Sequence, residues 1–72
     1  MATIKVVWKD SGKPRSHVRV SVQGSGFLSG MSTKHTDSNG RVVFEGIQRG
    51  EVFLEGDSQG TFKFQDEVIF ET

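Results

Sequence analysis

The chain has no cysteine, one proline and one tryptophan in its 72 residues. Without cysteine there is neither a disulfide framework nor a thiolate metal site, two usual supports of very small domains. Side-chain packing must therefore hold the fold, alone or with a partner subunit. No stretch approaches the roughly 20 continuous apolar residues of a membrane span, and the segment from Met1 to Lys5 lacks the basic-then-apolar layout of a signal peptide. These absences lead us to expect a soluble chain with no membrane span and leave its compartment undefined. The formal net charge is zero, so the basic excess usual in nucleic-acid binders is missing and no nucleic-acid partner is expected.

The charge that is present is unevenly placed. Residues 1–41 hold seven Lys and Arg against two Asp and Glu, and residues 42–72 hold two against seven. Two readings follow. Basic early strands can lie beside acidic late ones and form cross-strand pairs of about 0.2–1 kcal/mol each. Alternatively, the molecule is polar overall and associates head to tail or steers a charged partner.

Helical periodicity is also missing, since no window carries apolar residues at i, i+3, i+4 and i+7. Period-two alternation takes its place. Ile4, Val6 and Trp8 recur in residues 3–9 and point together, so the spacing predicts a first strand with all three, Trp8 included, in the core. Val18, Val20 and Val22 share one face of the next strand, with His17, Arg19, Ser21 and Gln23 on the other. Residues 31–36 are short and polar enough for an edge strand. Residues 41–45 and 51–55 read as two further strands with Val42, Phe44, Val52 and Leu54 toward the core, and Phe62, Phe64, Val68 and Phe70 occupy even positions of a last run bent around Asp66 and Glu67.

Turn chemistry separates these runs. Asp10, Ser11, Gly12 and Pro14 mark the first reversal, Asn39-Gly40 supplies the positive φ that a tight hairpin demands, and Gly46 with Gly50 brackets another. Residues 56–60 read as the last turn. The expected fold is all-β: a small antiparallel β-sandwich of about six or seven strands, one domain over residues 1–72.

The run Gly12-Lys13-Pro14, then Val18, Val20 and Val22, then Thr36-Asp37-Ser38-Asn39-Gly40-Arg41-Val42-Val43-Phe44-Glu45-Gly46-Ile47 through Leu54 resembles the carboxypeptidase regulatory-like, transthyretin-like family of immunoglobulin-type sandwiches. The resemblance covers about residues 1–55. It implies a non-catalytic accessory module, of the kind attached to peptidases, carbohydrate-active or cell-surface proteins. No ligand residue carries over.

Catalysis needs a nucleophile held by a base, or paired carboxylates across a cleft, and the sequence suggests neither. The chain is therefore not expected to be an enzyme, and no cofactor is expected. His17 and His35 sit in polar strand contexts and read as surface histidines. Asp37-Ser38-Asn39-Gly40 looks like part of a calcium loop, but Arg41 follows where further acidic ligands are needed, so it reads as a turn. If the core phase holds, Val7, Val43, Phe53 and Ile69 point outward from four strands, and together they would form a candidate interface. Phe27 and Leu28, in the glycine-rich loop of residues 24–30, either cap one end of the sandwich or grip a ligand. The resulting expectation is a structural or protein-interaction module, self-associating or accessory to a larger protein. The alternative is a small-ligand or carbohydrate-binding domain, which would require an exposed Trp8.

Overall fold

The computed structural model of the protein describes residues 2–24 and 30–72. Seven strands are present among them: β1 (Ala2–Val7), β2 (Arg19–Gly24), β3 (Met31–His35), β4 (Arg41–Phe44), β5 (Arg49–Leu54), β6 (Asp57–Lys63) and β7 (Val68–Glu71). They form two sheets, one ordered β4-β1-β7 and the other β3-β2-β5-β6. The alternation explains the layering. Ala2, Ile4 and Val6 of β1, Val20 and Val22 of β2, Val42 and Phe44 of β4, and Val52 and Leu54 of β5 all point between the sheets and form one buried cluster with Val18 and Phe64. Phe62 and Phe70 close one side of this cluster, their rings edge to face with centroids 5.3 Å apart. The fold is thus a small β-sandwich, as the alternation predicts.

Several connections differ from expectation. Asn39-Gly40 does not close a hairpin, because β3 and β4 belong to different sheets. The chain leaves β3 at Thr36, which is buried and whose Oγ1 accepts a hydrogen bond from Val18 N (2.9 Å) and donates to the Arg15 carbonyl (2.7 Å). A turn closed by Gly40 N donating to the Asp37 carbonyl then carries the backbone across to the other sheet, where Val6 N donates to the Gly40 carbonyl. Gly40 has φ +73°, and a Cβ there would stand 2.5 Å from the Val6 carbonyl oxygen, so both backbone conformation and close approach require glycine.

The last turn also falls earlier than expected. Glu55 and Gly56, with φ of 51° and 88°, form a two-residue reversal between the paired Leu54 and Asp57, leaving residues 57–60 within β6. The final apolar run divides between the sheets: β6 pairs with β5 in the four-stranded sheet, whereas β7 crosses to the other. There β7 runs parallel to β1, the one departure from antiparallel pairing among the described strands.

The smallest dimension of the Cα trace is 17 Å, which accommodates two sheets about 10 Å apart but no third layer. Among the described residues no further layer covers the outer face of either sheet. No helix among the described residues is long and apolar enough to cross a membrane.

Candidate functional site

The outer face of the four-stranded sheet carries a surface groove built on β2, β3 and β5. Val20 and Val22 point inward, so Ser21 between them points outward, and the register places it opposite Thr33 on β3 and Phe53 on β5. The Ser21 and Thr33 hydroxyls lie 2.9 Å apart and satisfy each other, and Ser21 is buried although it faces outward. Phe53 is half-buried beside this pair, next to the bulge at Val52/Phe53. Met31, 58% exposed, and Arg19 complete an open groove of about 440 Å³ that Gly56 also lines.

Local backbone chemistry sets the cationic end of this groove. Arg19 N donates to Glu55 Oε1 at 2.8 Å while Glu55 N donates to the Arg19 carbonyl, which ties the start of β2 to the β5–β6 turn. A methyl group at Gly56 would stand 3.4 Å from Arg19 Nη2, so the guanidinium lies over the turn. Among the described residues the one ion pair is Arg41–Glu67 at 2.9 Å, so Arg19 carries an unpaired charge beside an aromatic ring and a thioether.

The four candidate interface residues are not brought together. Phe53 lies on this face, whereas Val43 (38% exposed) and Ile69 (56% exposed) lie on the outer face of the three-stranded sheet, separated by β1. Val7 is not outward-exposed as expected but buried, at 8% exposure, where it forms an isolated bridge with Pro14 as the chain folds back along the end of β1. Phe27 and Leu28 lie outside the described residues.

Trp8 departs most clearly from expectation: it is 48% exposed rather than in the core. β1 ends at Val7, and the period-two phase ends with it. At Trp8 the backbone already belongs to a loop, its N–H donating to the Lys13 carbonyl and its carbonyl accepting from Gly12 N. The Arg15 guanidinium carbon stands 4.4 Å from the indole centroid, within cation–π range. Arg15 was not singled out by the sequence, since only the folded loop brings it over the ring.

A second cation is used internally. Lys34 Nζ donates to the Val43 carbonyl at 2.8 Å and lies 5.6 Å from the Phe44 ring centroid, bridging the edges of the two sheets where β3 and β4 stand near each other. A lysine placed on an edge strand in this way obstructs the addition of another strand.

Among the described residues no three His, Cys, Asp or Glu side chains gather as metal ligands. His17 and His35 are both exposed, with His17 Nδ1 3.2 Å from Ser16 Oγ. Asp37 is held below the ordinary carboxylate range chiefly by the backbone N–H of Arg41 and then by that of Asn39, both of which donate to Oδ1. This is turn capping rather than activation. Comparison with protein-family models, with curated proteins and with solved structures finds no match to this chain.

Proposed function

We propose that the protein is a non-catalytic interaction module whose contact surface is the outer face of the four-stranded sheet. The groove around Phe53 carries this reading: an aromatic ring, an exposed Met31 thioether and an unpaired Arg19 guanidinium line one concavity. Aromatic, methionine and arginine side chains are enriched at protein interfaces, where rings fill pockets and guanidinium groups engage carboxylates. The partner's chemistry follows: an apolar side chain beside a carboxylate. A second copy of the chain is the first partner to consider, because its residues 42–72 carry five more acidic than basic side chains. The two-sheet sandwich and the order of turns in residues 12–54 support placing the chain with the transthyretin-like, immunoglobulin-type accessory domains. That placement is part of the proposal.

The test is solution mass by light scattering across a concentration series, for the wild type and Phe53→Ser. Association that persists near 1 M salt, where charges are screened beyond about 3 Å, and that Phe53→Ser weakens without unfolding the chain, supports the reading. Unfolding of Phe53→Ser would instead make Phe53 part of the core. A wild type that is monomeric throughout would remove self-association and leave only a partner protein of different sequence.

A further inference from the structure

We propose that the Trp8 end of the sandwich is a second binding site, sharing no residue with the Phe53 groove, and that its ligand is an acidic saccharide. The site is built on an exposed indole with a fixed orientation. Trp8 N and the Trp8 carbonyl are tied to Lys13 and Gly12 at 2.9 and 2.8 Å, Lys9 N donates to the Thr72 carbonyl at 2.9 Å, and Arg15 N donates to the Val6 carbonyl at 2.9 Å. The loop is thus bonded to both β1 and the end of β7. Arg15 Nη1 donates to Thr72 Oγ1 at 2.7 Å while its guanidinium rests over the ring, so one indole face is held in place and 48% of the residue remains open.

The charges on this loop favour an anion. Lys9 and Lys13 are exposed on the segment that also carries Arg15, and none of the three takes part in an ion pair among the described residues. The loop carries these three cations against one acid, Asp10; of the neighbouring acids, Glu71 stands opposite Val7 in register, and the Asp37 carboxylate is engaged by the Asn39 and Arg41 amides in the turn that packs on Pro14. An apolar ring face beside a small cationic surplus matches a sugar that presents its C–H face to the indole and a carboxylate or sulfate to the amines. A long polyanion fits less well, since β7 beside β1 and the segment before it carry Asp66, Glu67 and Glu71.

Trp8 is the only tryptophan, so its emission reports on the site directly. The whole chain is titrated at low salt with a sulfated hexasaccharide and with an oligogalacturonide, against a neutral cello-oligosaccharide and an oligo(dT) strand. Calorimetry measures affinity and tryptophan emission the location. The expected result is binding of at least one acidic saccharide with a change in Trp8 emission. Trp8→Ala and Lys13→Glu, each checked for fold by circular dichroism, should each weaken it by about tenfold, the equivalent of ~1.4 kcal/mol, while Lys63→Glu, the same charge reversal at an exposed position of β6, leaves it unchanged. The proposal is overturned if neither acidic saccharide binds, if folded Trp8→Ala binds as tightly as the wild type, if the neutral sugar binds equally well, or if oligo(dT) binds more tightly than both acidic saccharides.

Discussion

Asp37 shows how one side chain organises a change of direction. Its Oδ1 accepts from Asn39 N at 2.8 Å and Arg41 N at 3.0 Å, so two backbone donors in the inter-sheet turn are satisfied by one charged group. The amides favour the ionised carboxyl and lower its pKa in the folded state. A carboxylate with a depressed folded pKa contributes stability above its unfolded value, near 3.9, and loses that contribution as pH falls through the lower folded value. Asp37→Asn keeps an acceptor oxygen but removes the charge. Urea unfolding should therefore give the variant a lower midpoint than the wild type at neutral pH, with the gap closing as pH falls below about 3.9. A gap that stays constant with pH would mean that the cap acts through geometry alone. Trp8 carries the complementary lesson at this scale: its spacing from Ile4 and Val6 places it in the core only while the strand continues, and the strand stops one residue earlier.

At the scale of elements, the faces of strands were legible in the sequence and their partners were not. Alternation identified Val18, Val20 and Val22, Val42 and Phe44, and Val52 and Leu54 as core, because a buried face imposes period two wherever a strand runs. It carries no information on which sheet a strand joins. Asn39-Gly40 has hairpin composition, yet the same residues serve a crossing between sheets, a choice made by distant contacts: Thr36 with Val18 and Arg15, and Gly40 with Val6. The candidate interface failed to assemble for the same reason, since Phe53 and the Val43–Ile69 pair are outward on different sheets.

A pair of substitutions separates the two demands on Gly40. Gly12 has φ +72°, nearly that of Gly40, but a Cβ there meets nothing within 4 Å. Gly12→Ala should cost the left-handed penalty alone, about 1–2 kcal/mol. Gly40→Ala should cost more, because its methyl group must also displace the Val6 carbonyl at the point where the connector docks on β1. Denaturant midpoints of the two variants check this, and equal losses would show that the connector shifts to accommodate a side chain.

For the whole molecule, the opposed charges of the two halves are the feature that folding leaves least explained. Early strands do lie beside late ones, β1 beside β7 and β2 beside β5, but among the described strands the register sets no cation opposite a carboxylate, and Lys5 stands between Arg41 and Ile69. Only Arg41–Glu67 closes to ion-pair distance among the described residues, and both side chains are partly exposed, where such a pair contributes about 0–1 kcal/mol. The fold must then rest on its apolar layer, and on the connectors that bond β1 to Gly40, Arg15 and the end of β7. If so, raising sodium chloride to about 1 M, which shortens the screening length to about 3 Å, should change the unfolding free energy of the monomer by less than ~1 kcal/mol. Urea titrations at low and high salt measure this. A larger loss at high salt would show that the basic and acidic halves stabilise each other through longer-range attraction, and the charges would then belong to the fold. A small change leaves most of those charges outside the energetics of folding and directed at other molecules, which is the condition both proposed surfaces need: Arg19 at the Phe53 groove, and Lys9, Lys13 and Arg15 around Trp8.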